Sequence, residues 1–528
     1  MKITPSDVLC TLGEHEEEAR KHVDFYKNLK DNFESKSREY QNLIQAEKSR
    51  YTRSLVRESR MPRGKSLFFF LRKWNSYTPA IPAYNRTSVG GGYFIWHEGI
   101  GIVIDPGYNF LENFYRAGGS ITDIDKVIIT HAHDDHTIQL EQLVSLLIKF
   151  NDEKPNIERK KVHFLLSVGT FQKFSPLIDL SSDVFSSGYT VLNVRDEIQL
   201  KNEEGDSIGT ITALPTYHYE ICSHDYGIGI LFELHPAKNA DNPKRVLMTS
   251  DTGLVPLNKS EKSYAVPNDS FEEKELIFNQ YLDILAGREV NLMLLHIGSI
   301  KEGEMSVKGQ SIADIVKEHL NAKLKLGELR NDETLSEEQR IQQKATLERV
   351  RDSYYPNHLG WLGVREVIAR CNPKVAVISE WGEELKRFRC DLVQQLESVL
   401  DHFEVWSTKI HFIESLPETS RIVPGDLSLV YSILDEKFFN SCSVLDSPNS
   451  NKWFLYKYID YLPASDENPS DLYYFPKIDV NKNSSKEYFV ANREDIVDCF
   501  CHYQKHRKFL YFGAPMEESE SKSLPDSK

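Results

Sequence analysis

The string Thr130-His131-Ala132-His133-Asp134-Asp135-His136 constrains this chain more than any other part of it. It puts four metal-binding side chains, His131, His133, Asp135 and His136, within six positions. The run Lys126 to Ile129 just before it reads as a short buried strand. The four groups therefore sit on a loop at a strand end, where the backbone can turn them toward one point. A continuous helix cannot do this. Neutral imidazoles and a carboxylate are the donors that zinc takes in catalytic sites. A polar surface loop is the competing reading. A chance string in this order is improbable even with 17 histidines in 528 residues.

The surrounding pattern predicts a layered α/β architecture. Tyr93 to Trp96 and Gly101 to Ile104 read as a hairpin around His97-Glu98-Gly99. Further strands are expected at Val162 to Leu166, Thr210 to Leu214, Ile228 to Leu234, Val246 to Met248, Leu292 to Leu295 and Val375 to Ile378. Each is short, apolar and bounded by polar or glycine-containing segments. Leu140, Leu143, Leu147 and Phe150 mark one face of a helix. Many strands with helices between them argue for stacked layers.

Four regions follow from the pattern. Residues 1–65 form a helical N-terminal extension, in which Tyr26, Phe33 and Tyr40 recur every seven positions with Leu29 and Leu43 in step. Lys36 interrupts that second row. The helix either binds a protein partner as a coiled coil or packs on its own body. Residues 66–435 form the catalytic domain, with a charged helical insertion at 312–351. Residues 436–515 form a C-terminal accessory region that includes Tyr456, Tyr458, Tyr461, Tyr473, Tyr474 and Phe475. Residues 516–528 are expected to be a disordered tail.

Composition narrows the setting. Apolar residues make up 40% and charged residues 27%, as in a soluble globular chain. The longest apolar stretch, Ser66 to Leu71, is far too short to span a bilayer, so no membrane partner is expected. The N-terminus lacks an apolar signal core and the seven cysteines show no regular spacing, which predicts a cytoplasmic protein with reduced thiols. Cys499, Cys501 and His502 lie close together but lack a second ligand pair, and incidental thiols are the better reading. A net charge of −15 opposes nucleic-acid binding through the overall field, while a local basic groove stays open. A homodimer also stays open.

The loop resembles the His-x-His-x-Asp-His signature of the metallo-β-lactamase superfamily. Its motif order is most similar to ribonuclease Z-like and β-CASP-like members. The resemblance covers roughly Ser88 to Asp435 and implies a four-layer αββα sandwich with the site at one edge. Ile104-Asp105-Pro106-Gly107 resembles the first motif, whose aspartate braces the metal loop, so Asp105 is expected to support ligands. Gly90, Gly91 and Gly92 are expected to form a close-packing turn, with phosphate binding the weaker alternative. His218, after Thr210 to Leu214, resembles the third-motif histidine, and His224 competes for that role. Met248-Thr249-Ser250-Asp251-Thr252-Gly253 resembles the fourth motif, and Asp251 is expected to bridge two ions.

The last ligand departs from the family pattern. The strand from Lys374 to Ser379 resembles one that ends in a histidine in these relatives, yet Glu380 stands there. Asn357-His358-Leu359-Gly360 resembles the segment where relatives place a histidine that assists proton transfer. Either Glu380 is the ligand and His358 the proton donor, or His358 reaches the metal and Glu380 supports it. His296, after Leu292 to Leu295, holds a place where relatives carry a histidine near the site. It is either catalytic or structural.

The resemblance implies two Zn²⁺ ions, with Mn²⁺ or Fe²⁺ still open. One takes His131, His133 and His218. The other takes Asp135, His136 and one of His358 or Glu380. A bridging water lowered in pKa would give hydroxide, Asp135 would orient it, and His358 would protonate the leaving oxygen. Lactamases of this fold usually carry cysteine at the fourth motif, and flavodiiron relatives usually carry glutamate where His133 stands. Glyoxalase-like members usually follow the loop with two glycines, whereas Thr137-Ile138-Gln139 follows here. Phosphodiester hydrolysis is the leading expectation, by a nuclease or a nucleotide phosphodiesterase. An ester, lactone or thioester hydrolase on the same metals and a metal-binding scaffold in a multi-protein complex are the alternatives.

Overall fold

The computed structural model describes residues 16–54, 64–72 and 91–385 apart from 118, 153, 181, 259–265, 308 and 331–333. It also describes 392, 396, 422–424, 429–440, 460–462, 472–476 and 488–492. Gly90, Cys499, Cys501, His502, Tyr456, Tyr458 and the tail at 516–528 lie outside the described residues, as does most of the expected region 436–515.

The chain divides into two compact units, Met1–Glu58 and Ser59–Lys528. Among the described residues of the first lies the helix Glu16–Ser54. Its 39 residues extend about 58 Å. Ion pairs one turn apart line it, including Lys21 with Glu17 and Lys30 with Glu34. Among the described residues no helix is long and apolar enough to cross a membrane.

The second unit is built on two large sheets. The first has strands β1 (Ser66–Phe70), β2 (Tyr93–His97), β3 (Ile100–Ile104), β4 (Lys126–Ile129), β5 (Val162–Leu166) and β6 (Ser186–Val191). The second has β7 (Glu197–Lys201), β8 (Ser207–Tyr219), β9 (Tyr226–Leu234), β10 (Lys244–Met248), β11 (Leu292–Gly298), β12 (Val375–Trp381) and β13 (Ile422–Pro424). The chain then returns to the first sheet as β14 (Leu429–Ser432) and β15 (Lys437–Asn440). The orders are β15-β14-β1-β2-β3-β4-β5-β6 and β13-β12-β11-β10-β9-β8-β7. Three short strands, Asp460–Leu462, Leu472–Pro476 and Tyr488–Asn492, make a separate antiparallel sheet.

Alternation along the strands decides what faces what. Tyr93, Ile95, Ile102 and Ile104 point inward and pack with Ile211, Ile230, Met248 and Leu294 of the other sheet. The opposite face of the second sheet, with Leu231, Leu247, Met293 and Leu295, packs on helices Ile277–Leu285 and Gly360–Cys371. On the first sheet, Phe94 points outward and meets Phe114 of helix Phe110–Arg116 at 4.8 Å between ring centres. Helix Leu140–Asn151 buries Leu140, Leu143, Leu147 and Phe150, as its spacing predicts. Helix, sheet, sheet and helix thus stack as four layers, and strands covered on both faces are apolar at nearly every position.

Each of the nine expected strands forms. The turn at His97-Glu98-Gly99 closes with Glu98 and Gly99 both in the left-handed region, as a tight hairpin requires. The strands β1, β6 and β7 were not expected, because their runs lack a clear alternation or turn signal. Residues 312–351 contain two helices, Ile312–Leu329 and Glu337–Arg351. The first buries Ile315, Val316, His319, Ala322 and Leu329, whereas the second buries none.

Candidate metal centre

The parallel strands end at one edge of the sandwich, and the chemistry-bearing residues collect there. Asp105 follows β3, the His131 loop follows β4, and Asp251 follows β10. His218, His296 and Glu380 lie near the C-terminal ends of β8, β11 and β12. This is where open α/β sheets place ligands. The backbone bends sharply at three of these ends. Asp105, Ser250 and Glu380 have φ of 50°, 53° and 56°, a region that costs a non-glycine residue about 1–3 kcal/mol. Packing of the strands behind them holds these conformations in place.

Two clusters share one residue. His131, His133, His218 and Asp251 converge in the first, and Asp135, His136, Asp251 and Glu380 in the second. In the first, His133 Nδ1 lies 3.2 Å from His131 Nε2 and 3.1 Å from His218 Nε2. In the second, His136 Nε2 lies 3.3 Å from Asp135 Oδ2 and 3.5 Å from both Asp251 Oδ2 and Glu380 Oε1. Donors about 2.0–2.1 Å from a tetrahedral ion stand about 3.3 Å apart, so both spacings fit a metal. His136 Nε2 is buried without a hydrogen-bond partner, which a cation would resolve.

Supporting groups fix the ligands. Asp105 accepts hydrogen bonds from Thr130 N and Thr130 Oγ1, both at 2.7 Å, and pairs with His136 Nδ1 at 2.9 Å. Ser250 Oγ donates to Thr130 Oγ1 at 2.7 Å, tying the fourth motif to the metal loop. The His218 ring meets Asn357 O through Nδ1 at 2.9 Å, which leaves Nε2 facing the cluster. Burial opposes protonation of His136, but the carboxylates of Asp135, Glu380 and Asp105 raise its pKa well above the usual histidine range. Burial and the neighbouring His218 ring push the His133 imidazole down to about 4.

The structure places the residues of the open alternatives differently. Glu380 joins the second cluster, while His358 Nδ1 stands 3.8 Å from Asp251 Oδ2, buried and without a hydrogen-bond partner. Burial pushes the His358 imidazole down to about 4 against the pull of Asp251. Gly298, with φ of 68°, makes room for it, since a Cβ there would stand 2.7 Å from the His358 ring. His218 is in the first cluster and His224 is exposed. His296 is wholly buried behind the ligands, with Nδ1 3.0 Å from Asp251 Oδ1 and 3.2 Å from Glu380 Oε1. Its Nε2 lies 3.0 Å from the Tyr93 hydroxyl. Gly91 and Gly92 allow close backbone approach to Leu71 and Asp105, as the turn reading expects.

Two supporting residues escaped sequence reasoning. Glu220 accepts from Ala132 N at 3.0 Å and Gly169 N at 3.1 Å, bracing the metal loop. Arg72, just past β1, is buried with its guanidinium against the second cluster. A lone arginine closing the apolar run Ser66 to Leu71 was the available signal for the latter. A cavity of about 250 Å³ opens beside the first cluster, lined by His133, His218, Tyr219, Glu220, Ile221 and Asn357.

Comparison with known proteins agrees with this picture. Residues 92–225 match the model of the metallo-beta-lactamase superfamily. The chain is 34% identical over 70 residues to ribonuclease Z of Thermobifida fusca and 31% identical over 64 residues to ribonuclease Z of Streptomyces coelicolor. These matches cover 13% and 12% of this chain and 21% of each relative. The metallo-beta-lactamase fold protein YhfI of Bacillus subtilis aligns over 70% of this chain and 99% of its own, at 10% identity and a TM-score of 0.39. The matched segment holds Asp105, the His131 loop and His218, so the metal loop and its supports lie within the part of the chain that is similar to the metallo-β-lactamase superfamily.

Proposed function

We propose that this chain is a metal-dependent hydrolase of phosphodiesters, with a small nucleotide ester as substrate. The observation that carries the reading is Asp251, whose Oδ2 stands 3.6 Å from His131 Nε2 in one cluster and 3.5 Å from His136 Nε2 in the other. Two divalent ions held there would supply an activated water and offset the charge that develops on phosphoryl oxygens. The chain's own residues do the rest. Asp105 and Glu220 keep the His131 loop in place, and His296 fixes the Asp251 carboxylate. His358 has one ring nitrogen unengaged near Asp251 and, neutral in the free site, would take up a proton with the anionic substrate and pass it to the leaving oxygen.

The cavity size and the net charge of −15 favour a small ester over a long polyanion. The named activity of the ribonuclease Z relatives supports phosphodiester chemistry as the class. The test is a substrate panel on metal-loaded protein, with bis-p-nitrophenyl phosphate, cyclic and linear dinucleotides, a structured RNA and a lactone. Hydrolysis of the phosphodiesters, abolished in Asp135→Ala/His136→Ala, is expected. Turnover of the lactone alone, or full activity in that variant, would sink the proposal.

A further inference from the structure

The two clusters differ in the donors they offer. The first presents three imidazoles and one carboxylate, and the second one imidazole and three carboxylates. Imidazole suits zinc, whereas carboxylate oxygens suit harder ions such as Mn²⁺. The second cluster also has a feature that the metal motif does not contain. The Arg72 guanidinium reaches it from the end of β1. Its Nη2 donates to Asp135 Oδ2 at 2.6 Å, its Nη1 donates to Asp135 O at 2.9 Å, and its Nε lies 2.9 Å from Glu380 Oε1.

We propose that the centre is built for two different metals, zinc among the three histidines and a harder divalent cation such as Mn²⁺ among Asp135, His136, Asp251 and Glu380, with Arg72 as the positioning residue of the second place. The proposal rests on the metal-centre reading above. Three carboxylates against one guanidinium leave two negative charges at the second place, one of them on Asp251, which the first place also uses. Without Arg72, three buried carboxylates would face one another around a single cation, and buried charge needs a partner. Arg72 also aims one of the three and faces a second. Asp135 is gripped at its side chain and its backbone carbonyl, while Glu380 Oε1 is paired by charge with Arg72 Nε at 2.9 Å and forms no hydrogen bond. The guanidinium does not itself take the cation's place. His136 Nε2, in the middle of the carboxylates, has no hydrogen-bond partner and offers a lone pair or N–H that no protein group serves.

The experiment is metal loading of the full-length chain. Metal-stripped protein is mixed with two equivalents of Zn²⁺ and a large excess of Mn²⁺, freed of unbound ions, and measured by elemental analysis and by the electron paramagnetic resonance of bound Mn²⁺. One zinc and one manganese per chain are expected. The double variant Arg72→Leu/Glu380→His exchanges an oxygen donor for nitrogen without changing the net charge. It should retain two zinc ions, with the zinc concentration that displaces Mn²⁺ lowered about tenfold or more. Arg72→Lys keeps the charge but loses the fork, and should weaken Mn²⁺ retention while leaving the first zinc in place. Two zinc ions in the wild-type chain would overturn the inference and leave a dinuclear centre standing. Fewer than two metals of any kind would overturn both.

Discussion

Asp105 and His136 are joined at 2.9 Å through Nδ1, so the opposite ring nitrogen is the one turned toward the second cluster. The same carboxylate receives Thr130 N and Oγ1, and so a single side chain orients both the ring and the loop that carries it. Replacing a carboxylate behind a metal-ligating histidine typically costs about 10–100-fold in metal affinity. Asp105→Ala should show a loss of that size at the second position, read by competition with a chromophoric chelator. The first position, which lacks a direct hydrogen bond to Asp105 from His133 or His218, should change less.

Metal removal should lower stability. Without cations, three carboxylates and four imidazoles crowd the centre, and each bound ion favours the folded chain. At a free metal concentration about a thousand times its Kd, one ion contributes about 4 kcal/mol. Thermal melts with and without a chelator should therefore differ by several degrees, and added metal should restore the higher midpoint. Identical melts would argue that the clusters are ordinary buried polar groups.

Gly298→Ala should separate structure from chemistry. The backbone there is left-handed and a methyl group would press on the His358 ring at 2.7 Å. The strain should cost about 1–3 kcal/mol of stability. Because His358 is displaced while the clusters stay intact, metal content should hold and kcat should fall. Unchanged kcat in a folded, fully loaded variant would remove His358 from the reaction.

His97 gives a pH dependence away from the centre. It is wholly buried between the sheets, 2.6 Å from Ser66 Oγ and in hydrogen-bond range of Ile208 O and His235 O. Burial pushes its imidazole down to about 4. The unfolded chain takes up a proton near pH 6.5 and the folded one does not, so stability is full above about 6.5 and falls toward pH 4. At most about 3 kcal/mol is lost in that window through this group. His97→Gln should flatten the slope of denaturation free energy over the same range, even if it lowers the plateau.

The loop at His131 was legible because four metal-binding side chains crowd within six positions after a strand end, and Asp105 and Asp251 because their segments resemble motifs of the metallo-β-lactamase superfamily. Nine strands were legible because both faces are covered and the runs are almost wholly apolar. Arg72 was not legible. It lies some sixty positions before the loop, and a guanidinium is not a metal ligand, so no spacing leads to it. Only the pairing of β1 with β2 carries it to Asp135 and Glu380. The choice between Glu380 and His358 was equally hidden, since both follow plausible segments and only their three-dimensional distances to Asp251 and His136 differ. Glu220 stands two residues after His218, but its role depends on backbone N–H groups of Ala132 and Gly169, which no residue pattern reports.

Because Asp251 Oδ2 stands close to His131 Nε2 of one cluster and to His136 Nε2 of the other, two ions held there would be coupled through it. Whatever factor the first ion imposes on the affinity of the second, the second must impose on the first. Occupancy at the histidine-rich place would then respond to the supply of an ion at the carboxylate-rich one. Titration of either ion should yield a nonzero coupling energy, equal in both orders of addition, whereas two independent sites would show none.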